Sequence, residues 1–422
     1  MEFVLTRRFG KPDSQALSGY EADGGYQAAR KALATSPEDV IEEVKSANLR
    51  GRGGAGFPAG VKWSFMPKND GKPHFLCVNA DEGEPGTFKD RALMKNDPHQ
   101  LLEGIVIVCH AIRAQHCYIY LRGEMWEEKA ILWRAIHEAR AKGYLGDNHF
   151  GSGRRLHVAV CTGAGAYVCG EETAMINSIE GRRGEPRLKP PFPAGVGAFG
   201  MPTTVNNVET ISNVPHILNR GGAWFASLGV DRDGGTRLFG VSGPVKRPGL
   251  YERPQGYNLK QLIFEDAGGM MDGRKLKAVI PGGSSCPVLL PHEIDRPHSF
   301  DSLRDAGSMA GSAGVIVLPD DLCMVAAMEN LAHFYAHESC GQCTPCREGT
   351  HFLHLLIRRI EAGEGRMEDI DTLAEVSRAM LGTTICPLSD AAAMPMLAFV
   401  TKFRSEFEEH VRLGRCPMGR RA

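Results

Sequence analysis

The chain has 422 residues, with 49 Lys plus Arg against 50 Asp plus Glu and a formal net charge of −1. At about 150 residues per domain that is room for about three domains, and the balance excludes a globally basic nucleic-acid binder and an acidic, self-repelling disordered chain. A 42% hydrophobic content supplies a core, no apolar run approaches the roughly 18 residues of a membrane span, and Met1-Glu2-Phe3 lacks the basic-then-apolar opening of a secretory signal.

In chain order, Ser36 and Pro37 open the first clear helix as N-cap and first helical residue, and Val40, Ile41, Val44 and Leu49 form its apolar stripe. Residues 49–219 alternate Gly-rich turns, strand-like runs at 75–78, 117–121 and 156–161, and helical patterns, which predicts an α/β domain. A small α+β module follows, with strands at 238–243 and 277–280 and a short helix at 258–265. From residue 322 the pattern turns helical. Met324, Met328, Leu331 and Tyr335 form one stripe, Leu353, Leu356, Ile357 and Ile360 a second, Ile370, Leu373, Val376 and Met380 a third, and Met396, Phe399, Phe403 and Phe407 a fourth. The expected architecture is an α/β domain over 1–235, the small α+β module over 236–320 and a C-terminal four-helix bundle over 321–422.

Three of the 12 cysteines fall in Cys340-x2-Cys343-x2-Cys346, and Cys386-Pro387 follows forty residues later. Three thiolates from one tight loop plus one remote thiolate suit the four corners of a [4Fe–4S] cube. A zinc ion also takes four thiolates, but its structural pattern is two separated Cys-x2-Cys pairs. The triplet falls between the first and second predicted bundle helices and Cys386 between the third and fourth, so both loops can meet at one end of the bundle. Cys77, Cys109, Cys117, Cys161, Cys169, Cys286, Cys323 and Cys416 are scattered and read as small hydrophobes.

Three loops carry ligand signals. Gly51-x-Gly53-x-x-Gly56 matches a dinucleotide fingerprint in form, but a helix precedes it and Phe57-Pro58 follows, so the Rossmann context is missing. Its backbone N–H groups can line a phosphate or underlie a flat ring, with charge from Arg50, Arg52 and Lys62 and stacking faces from Phe57, Trp63 and Phe65; the plain alternative is a surface loop. The turn from Gly163 to Gly170 leads into Glu171 and Glu172, which suit either a helix start or the hydroxyls of a ligand. Asp81, Glu82 and Glu84 directly follow a predicted strand, at the strand end where open α/β sheets bind ligands. There they could hold ribose hydroxyls and repel a 2′-phosphate; a divalent-cation loop is the alternative, without regular calcium-loop spacing.

These motifs together, Arg50-Gly-Arg-Gly-Gly-Ala-Gly-Phe-Pro-Ala-Gly-Val-Lys-Trp63, Asn79-Ala-Asp-Glu-Gly-Glu-Pro-Gly86, Gly163-Ala-Gly-Ala-Tyr-Val-Cys-Gly-Glu-Glu172, Asn206-Asn207 and the cysteine set, resemble the 51 kDa-type flavoprotein subunits of NADH:quinone oxidoreductase, respiratory complex I, essentially end to end. The resemblance implies a flavin-binding α/β domain, a β-grasp-like module and a helical bundle holding a [4Fe–4S] cluster on Cys340, Cys343, Cys346 and Cys386. It implies FMN lined by Gly51, Arg52, Gly53, Gly54, Lys62, Asn79, Asp81, Tyr167, Gly170, Glu171, Asn206 and Asn207. For NADH it implies stacking on or beside Phe57, Phe65 and Phe192, ribose or nicotinamide contacts from Glu82, Glu84 and Glu172, and phosphate approach by Lys189.

The implied reaction is hydride transfer from NADH to FMN, with no protein acid or base required, followed by single-electron transfer to the cluster. Replacing Glu82 or Glu84 by Gln is then expected to improve NADPH use. Electrons would leave to a thioredoxin-like [2Fe–2S] subunit and a larger multi-cluster subunit, in a peripheral complex on the cytoplasmic face of a bacterial inner membrane. Diaphorase subunits of soluble NAD-linked hydrogenases or formate dehydrogenases share the motifs, but often with extra iron–sulfur extensions for which this chain is expected to have no room. A non-redox module built on zinc is the other class. Arg412, Arg415, Arg420 and Arg421 are expected to be a solvated tail or a subunit contact.

Overall fold

The structure is a computed structural model that describes residues 2–419; Arg420 and Arg421 lie outside the described residues. Two short helices, α1 (Leu17–Ala22) and α2 (Gln27–Leu33), precede α3 (Pro37–Ser46). Helix α3 starts where the sequence signals it. Ser36 Oγ accepts the Asp39 N–H at 3.1 Å, Pro37 opens the first turn, and Val40, Ile41 and Val44 are buried. The Gly-rich loop leads from α3 into α4 (Ala59–Ser64), with no strand between them.

Next come β1 (His74–Ala80), α5 (Lys89–Asn96), α6 (Pro98–Ala111), β2 (Ala114–Leu121), α7 (Trp126–Ala141), β3 (His157–Thr162), α8 (Glu172–Ile179) and β4 (Thr203–Asn207). The four strands form a fully parallel sheet in the order β3-β2-β1-β4. Strand β1 lies in its interior and reads as a near-continuous buried run, as a parallel strand covered on both faces must. Helix α6, which contains the apolar run 105–109, is buried along its whole length. Helices α9 (Val208–Ser212), α10 (Val214–Arg220) and α11 (Gly222–Ser227) complete the layer.

The second sheet comprises β5 (Thr236–Ser242), β6 (Gly249–Pro254), β7 (Leu276–Ile280) and β8 (Gly314–Pro319), in the order β6-β5-β8-β7. It is mixed: β5 pairs antiparallel with β6 and parallel with β8, and β7 pairs antiparallel with β8. The expected short helix is α12 (Leu259–Gln261) continued by a π turn over Leu262–Asp266, and α13 (Phe300–Asp305) precedes β8.

The C-terminal region contains α14 (Met324–Glu338), α15 (Thr344–Glu361), α16 (Met367–Met380), α17 (Leu388–Lys402) and α18 (Arg404–Leu413). The fourth apolar stripe predicts one helix where the chain makes two, α17 and α18. Phe403, at φ −120° and ψ 24°, breaks the backbone, while Phe399, Phe403 and Phe407 all stay in one core. The apolar period therefore runs through a break that periodicity alone does not register. That core also takes in Ala278, Ile280 and Leu318, so the second sheet packs on these helices. Among the described residues no helix is long and apolar enough to cross a membrane.

Candidate functional site

The carboxyl ends of β1 and β4 lie side by side, with Asn79 paired in register to Asn207. The Gly-rich loop folds over them. Gly53 sits so close that a Cβ would lie 3.1 Å from Asn207 Cβ, and Gly56, at φ +67°, rests on the Phe300 ring. These close approaches explain the glycines without a Rossmann turn. Asn79 donates to Gly170 O at 2.8 Å and accepts the Asp81 N–H at 3.1 Å, which joins the acidic segment to the second Gly-rich turn. Asp81 Oδ2 is buried with no hydrogen-bond partner, and burial pushes its carboxyl up to about 7.

The charges distribute differently from the sequence expectation. Arg52 adds none to the loop. Its guanidinium is fully buried, 2.9 Å from Asp233 and 2.6 Å from Gly234 O, and its backbone N–H donates to Thr210 Oγ1 at 2.8 Å, so the residue fixes the loop from inside. Arg50 stacks 4.4 Å over Phe300. The Glu82 carboxylate turns inward as well. It is 7% exposed and accepts the N–H groups of Asp90 and Arg91, capping α5 from a distance. Its carboxyl is pushed up to about 7 by burial and by the neighbouring Asp90. Glu84 accepts from Ser285 N at 2.8 Å and from the Tyr167 hydroxyl.

Lys62 and Lys189 meet Glu171 and Glu172 at the start of α8. Lys62 Nζ lies 2.9 Å from Glu172 Oε2, and Lys189 Nζ lies 2.9 Å from both Glu171 Oε1 and Glu172 Oε1. Lys189 therefore meets carboxylates, where the sequence expectation put phosphates. Although burial opposes it, these two lysines hold the Glu172 carboxyl below its usual range. Glu171 Oε2 accepts the N–H groups of Thr173 and Ala174, a true N-cap. Asn206 accepts the Trp63 indole N–H at 2.8 Å, and Asn207 caps α9 and donates to Asp90. These amides shape the floor through contacts within the protein. Phe57, Phe65 and Phe192 are 49%, 59% and 61% exposed, and the Phe57 and Phe65 rings lie 6.1 Å apart.

Cys340, Cys343, Cys346 and Cys386 all line one small cavity, together with Pro186, Ile385 and Leu388. The first three lie between α14 and α15, and Cys386 lies between α16 and α17. Gly341 takes φ +80°, and Arg183 and Arg347 donate to the carbonyls of Cys340 and Gly341 at 2.7 and 2.9 Å, fixing the loop. Burial pushes the Cys386 thiol up to about 11. Two contacts that the sequence did not signal tie this cage to the sheet edge. The Tyr167 N–H donates to Glu338, one residue before the cysteine loop, at 2.9 Å, and the cysteines share an apolar cluster with Val168, Cys169 and Ala174.

Family models match in three places: the Nuo51 FMN-binding domain over residues 44–216, the SLBB domain over 238–289 and the NADH-ubiquinone oxidoreductase-F iron-sulfur binding region over 326–410. An NADH-quinone oxidoreductase F-subunit of Rhizobium meliloti, the one numbered 2, is 53% identical over 99% of each chain. The chain belongs to the NADH-quinone oxidoreductase F-subunit family. The F-subunit of Streptomyces coelicolor is 50% identical over 98% of this chain and 92% of its own. A crystal structure of an NAD+-reducing [NiFe]-hydrogenase in the H2-reduced state matches with a TM-score of 0.84 at 36% identity, covering 95% of this chain and 67% of that one.

The residues fit the cofactors of this family. The partnerless Asp81 oxygen is an acceptor waiting for a ligand hydroxyl, beside a glycine loop that leaves backbone N–H groups near the strand ends. Four thiols around one cavity are an all-sulfur donor set for a [4Fe–4S] cluster. The chain thus combines an FMN-binding α/β domain, an SLBB domain and an iron–sulfur region built on helices.

Proposed function

We propose that this chain is the NADH-oxidising subunit of a respiratory NADH:quinone oxidoreductase, binding FMN along the Gly51–Gly54 loop and the β1 and β4 ends, NADH against the exposed phenylalanines, and a [4Fe–4S] cluster on Cys340, Cys343, Cys346 and Cys386. FMN, when bound, converts the two-electron hydride into single electrons that the cluster accepts. The observation that carries this reading is the direct tie between the nucleotide-site turn and the cysteine loop through Tyr167 and Glu338.

The chain's own residues do geometric and electrostatic work. Asp81 Oδ2 would accept a ribityl hydroxyl, and Gly53 and Gly54 offer backbone N–H groups to the flavin phosphate. Lys62, held 2.9 Å from Glu172, would offer its ammonium group to negative charge on a bound flavin. Phe57, Phe65 and Phe192 provide faces that a nicotinamide or adenine ring would cover, excluding water. Glu84, held by Tyr167 and Ser285, is the carboxylate best placed to meet a ribose. No side chain is assigned as acid or base, because hydride transfer needs none.

In this reading the chain divides at about residues 235 and 320, its middle module is β-grasp-like, and α14–α17 form the bundle that carries the cluster. Electrons pass on to a thioredoxin-like [2Fe–2S] subunit and a multi-cluster subunit, in a complex lying peripherally on the cytoplasmic face of the membrane. The hydrogenase likeness keeps a diaphorase role as the second reading; the partners that co-purify with the chain separate the two. The test of the function is reconstitution with FMN, iron and sulfide: NADH bleaches the flavin and reduces the cluster. A protein that binds neither, or binds both and ignores NADH, contradicts it.

A further inference from the structure

The C-terminal region holds a second constellation of ligating atoms, in which two cysteines assigned by sequence to the core leave that role. Cys323 Sγ, Glu361, His410 Nε2 and Cys416 Sγ each offer one donor atom, and all four atoms lie within 4.8 Å of one another. The individual separations are 3.4 Å for Cys323 Sγ to His410 Nε2, 3.1 Å for His410 Nε2 to Glu361 Oε2 and 3.7 Å for Cys323 Sγ to Glu361 Oε2. A tetrahedral ion with bonds of about 2.0–2.3 Å holds its ligands about 3.3–3.8 Å apart.

Four different segments bring these atoms together. Cys323 is the N-cap of α14, and its sulfur accepts the Ala326 N–H at 3.3 Å, which fixes the direction of the side chain. Glu361 is the last residue of α15. His410 lies in α18, and Cys416 follows it on the C-terminal segment. Gly363 packs on the Gly414 backbone so tightly that a Cβ would lie 2.1 Å from Gly414 O, and this contact delivers Cys416 beside Glu361.

Two further details point to a ligand. Glu361 Oε1 is buried without a partner. His410 Nδ1 lies 2.7 Å from Glu406 O; a carbonyl only accepts, so Nδ1 carries a proton and Nε2 is the atom turned into the cluster. A backbone carbonyl oriented in this way is the usual outer partner of a metal-bound histidine.

We propose that Cys323, Glu361, His410 and Cys416 form a closed, four-coordinate structural zinc(II) site. Two thiolates, an imidazole and a carboxylate match zinc in ligand softness, and four protein ligands leave no open position for catalysis. Binding replaces the thiol protons of Cys323 and Cys416, which leave to solvent, and changes no oxidation state. Helix α15 starts at the cysteine loop and ends at Glu361, so its 18 residues separate the two metal sites by about 25 Å. The zinc would close the end of the helical region remote from the iron–sulfur cage and pin the C-terminal segment there.

The test is metal analysis and zinc-edge X-ray absorption on the full-length holoprotein after exposure to zinc(II) and removal of the excess. The expected result is about one zinc per chain, with two sulfur neighbours near 2.3 Å and two nitrogen or oxygen neighbours near 2.0 Å. Cys416→Ala, at the margin of the fold, and His410→Gln should each weaken zinc retention by tenfold or more while keeping iron and FMN at wild-type levels. Three results would overturn the proposal: no retained zinc, a four-sulfur shell placing zinc in the Cys340–Cys386 cage, or undiminished zinc in both variants. A Cys323–Cys416 disulfide in the isolated protein would overturn it as well.

Discussion

The backbone N–H of Tyr167 donates to the Glu338 carboxylate at 2.9 Å, which fastens the Gly-rich turn of the α/β domain to the helix end that opens the cysteine loop. Tyr167 also meets Phe334 edge-on and donates its hydroxyl to Glu84, so one residue spans three parts of the site. If the flavin lies against this turn, the contact sets its distance to the cluster. Glu338→Ala should therefore slow NADH-dependent cluster reduction more than flavin bleaching and cost on the order of 1–3 kcal/mol of stability. Stopped-flow absorbance at the flavin and cluster bands checks this; equal slowing of both phases would show that the contact does not govern the second step.

Asp81 gives a pH signature. Its folded-state carboxyl sits at about 7, against about 3.9 in an unfolded chain. Ionisation is thus disfavoured by folding: the neutral form's contribution is fully present below the unfolded value and is lost as pH rises through about 7. Asp81→Asn should stabilise the flavin-free chain more at pH 8 than at pH 5, read as a widening gap in Tm. Asp81→Ala should weaken FMN binding by about 10–100-fold through loss of a buried hydrogen-bonding carboxyl, measured by flavin fluorescence titration.

Selectivity for NADH over NADPH separates two carboxylates that look alike in sequence. Glu84→Gln should raise kcat/KM for NADPH, because in the proposed reading this carboxylate, held by Tyr167 and Ser285, meets the ribose. Glu82→Gln should leave the ratio unchanged and lower stability instead, because its carboxylate holds the first N–H groups of α5. Steady-state kinetics with both nucleotides and a thermal melt of each variant decide; a selectivity change in Glu82→Gln would contradict the placement.

The broad architecture was legible because its signals are local. The Ser36-Pro37 cap, the strand at 75–78 and the first three helical stripes each depend on neighbouring residues, and each lies where the pattern puts it, while the fourth stripe runs across the break at Phe403. The Cys340-x2-Cys343-x2-Cys346 spacing is local as well, and the expectation that the Cys386 loop can reach it agrees with the one cavity that all four cysteines line. The directions of side chains were not. Arg52 and Glu82 turn inward because Asp233 and the α5 N-terminus, distant in sequence or hidden by the turn, offer better partners than solvent. The pairing of Tyr167 with Glu338 spans 171 residues, and that of Cys323 with His410 spans 87; no spacing rule reaches that far. Strands β4, β6 and β8 escaped: β4 is a short, mostly polar Thr-Thr-Val-Asn-Asn run, β6 is half-exposed, and β8 is a short apolar run without flanking alternation.

Electrons passing from NADH to a cluster held by these four cysteines are the heart of the proposed activity. The direct measurement is electron paramagnetic resonance of the reconstituted chain after anaerobic addition of NADH, with Cys386→Ser beside the wild type. The wild type should give a reduced iron–sulfur signal at about one spin per chain, while Cys386→Ser should keep NADH-dependent flavin bleaching and lose the signal. Full flavin bleaching with no cluster signal in the wild type, or an unaltered signal in Cys386→Ser, would contradict that activity.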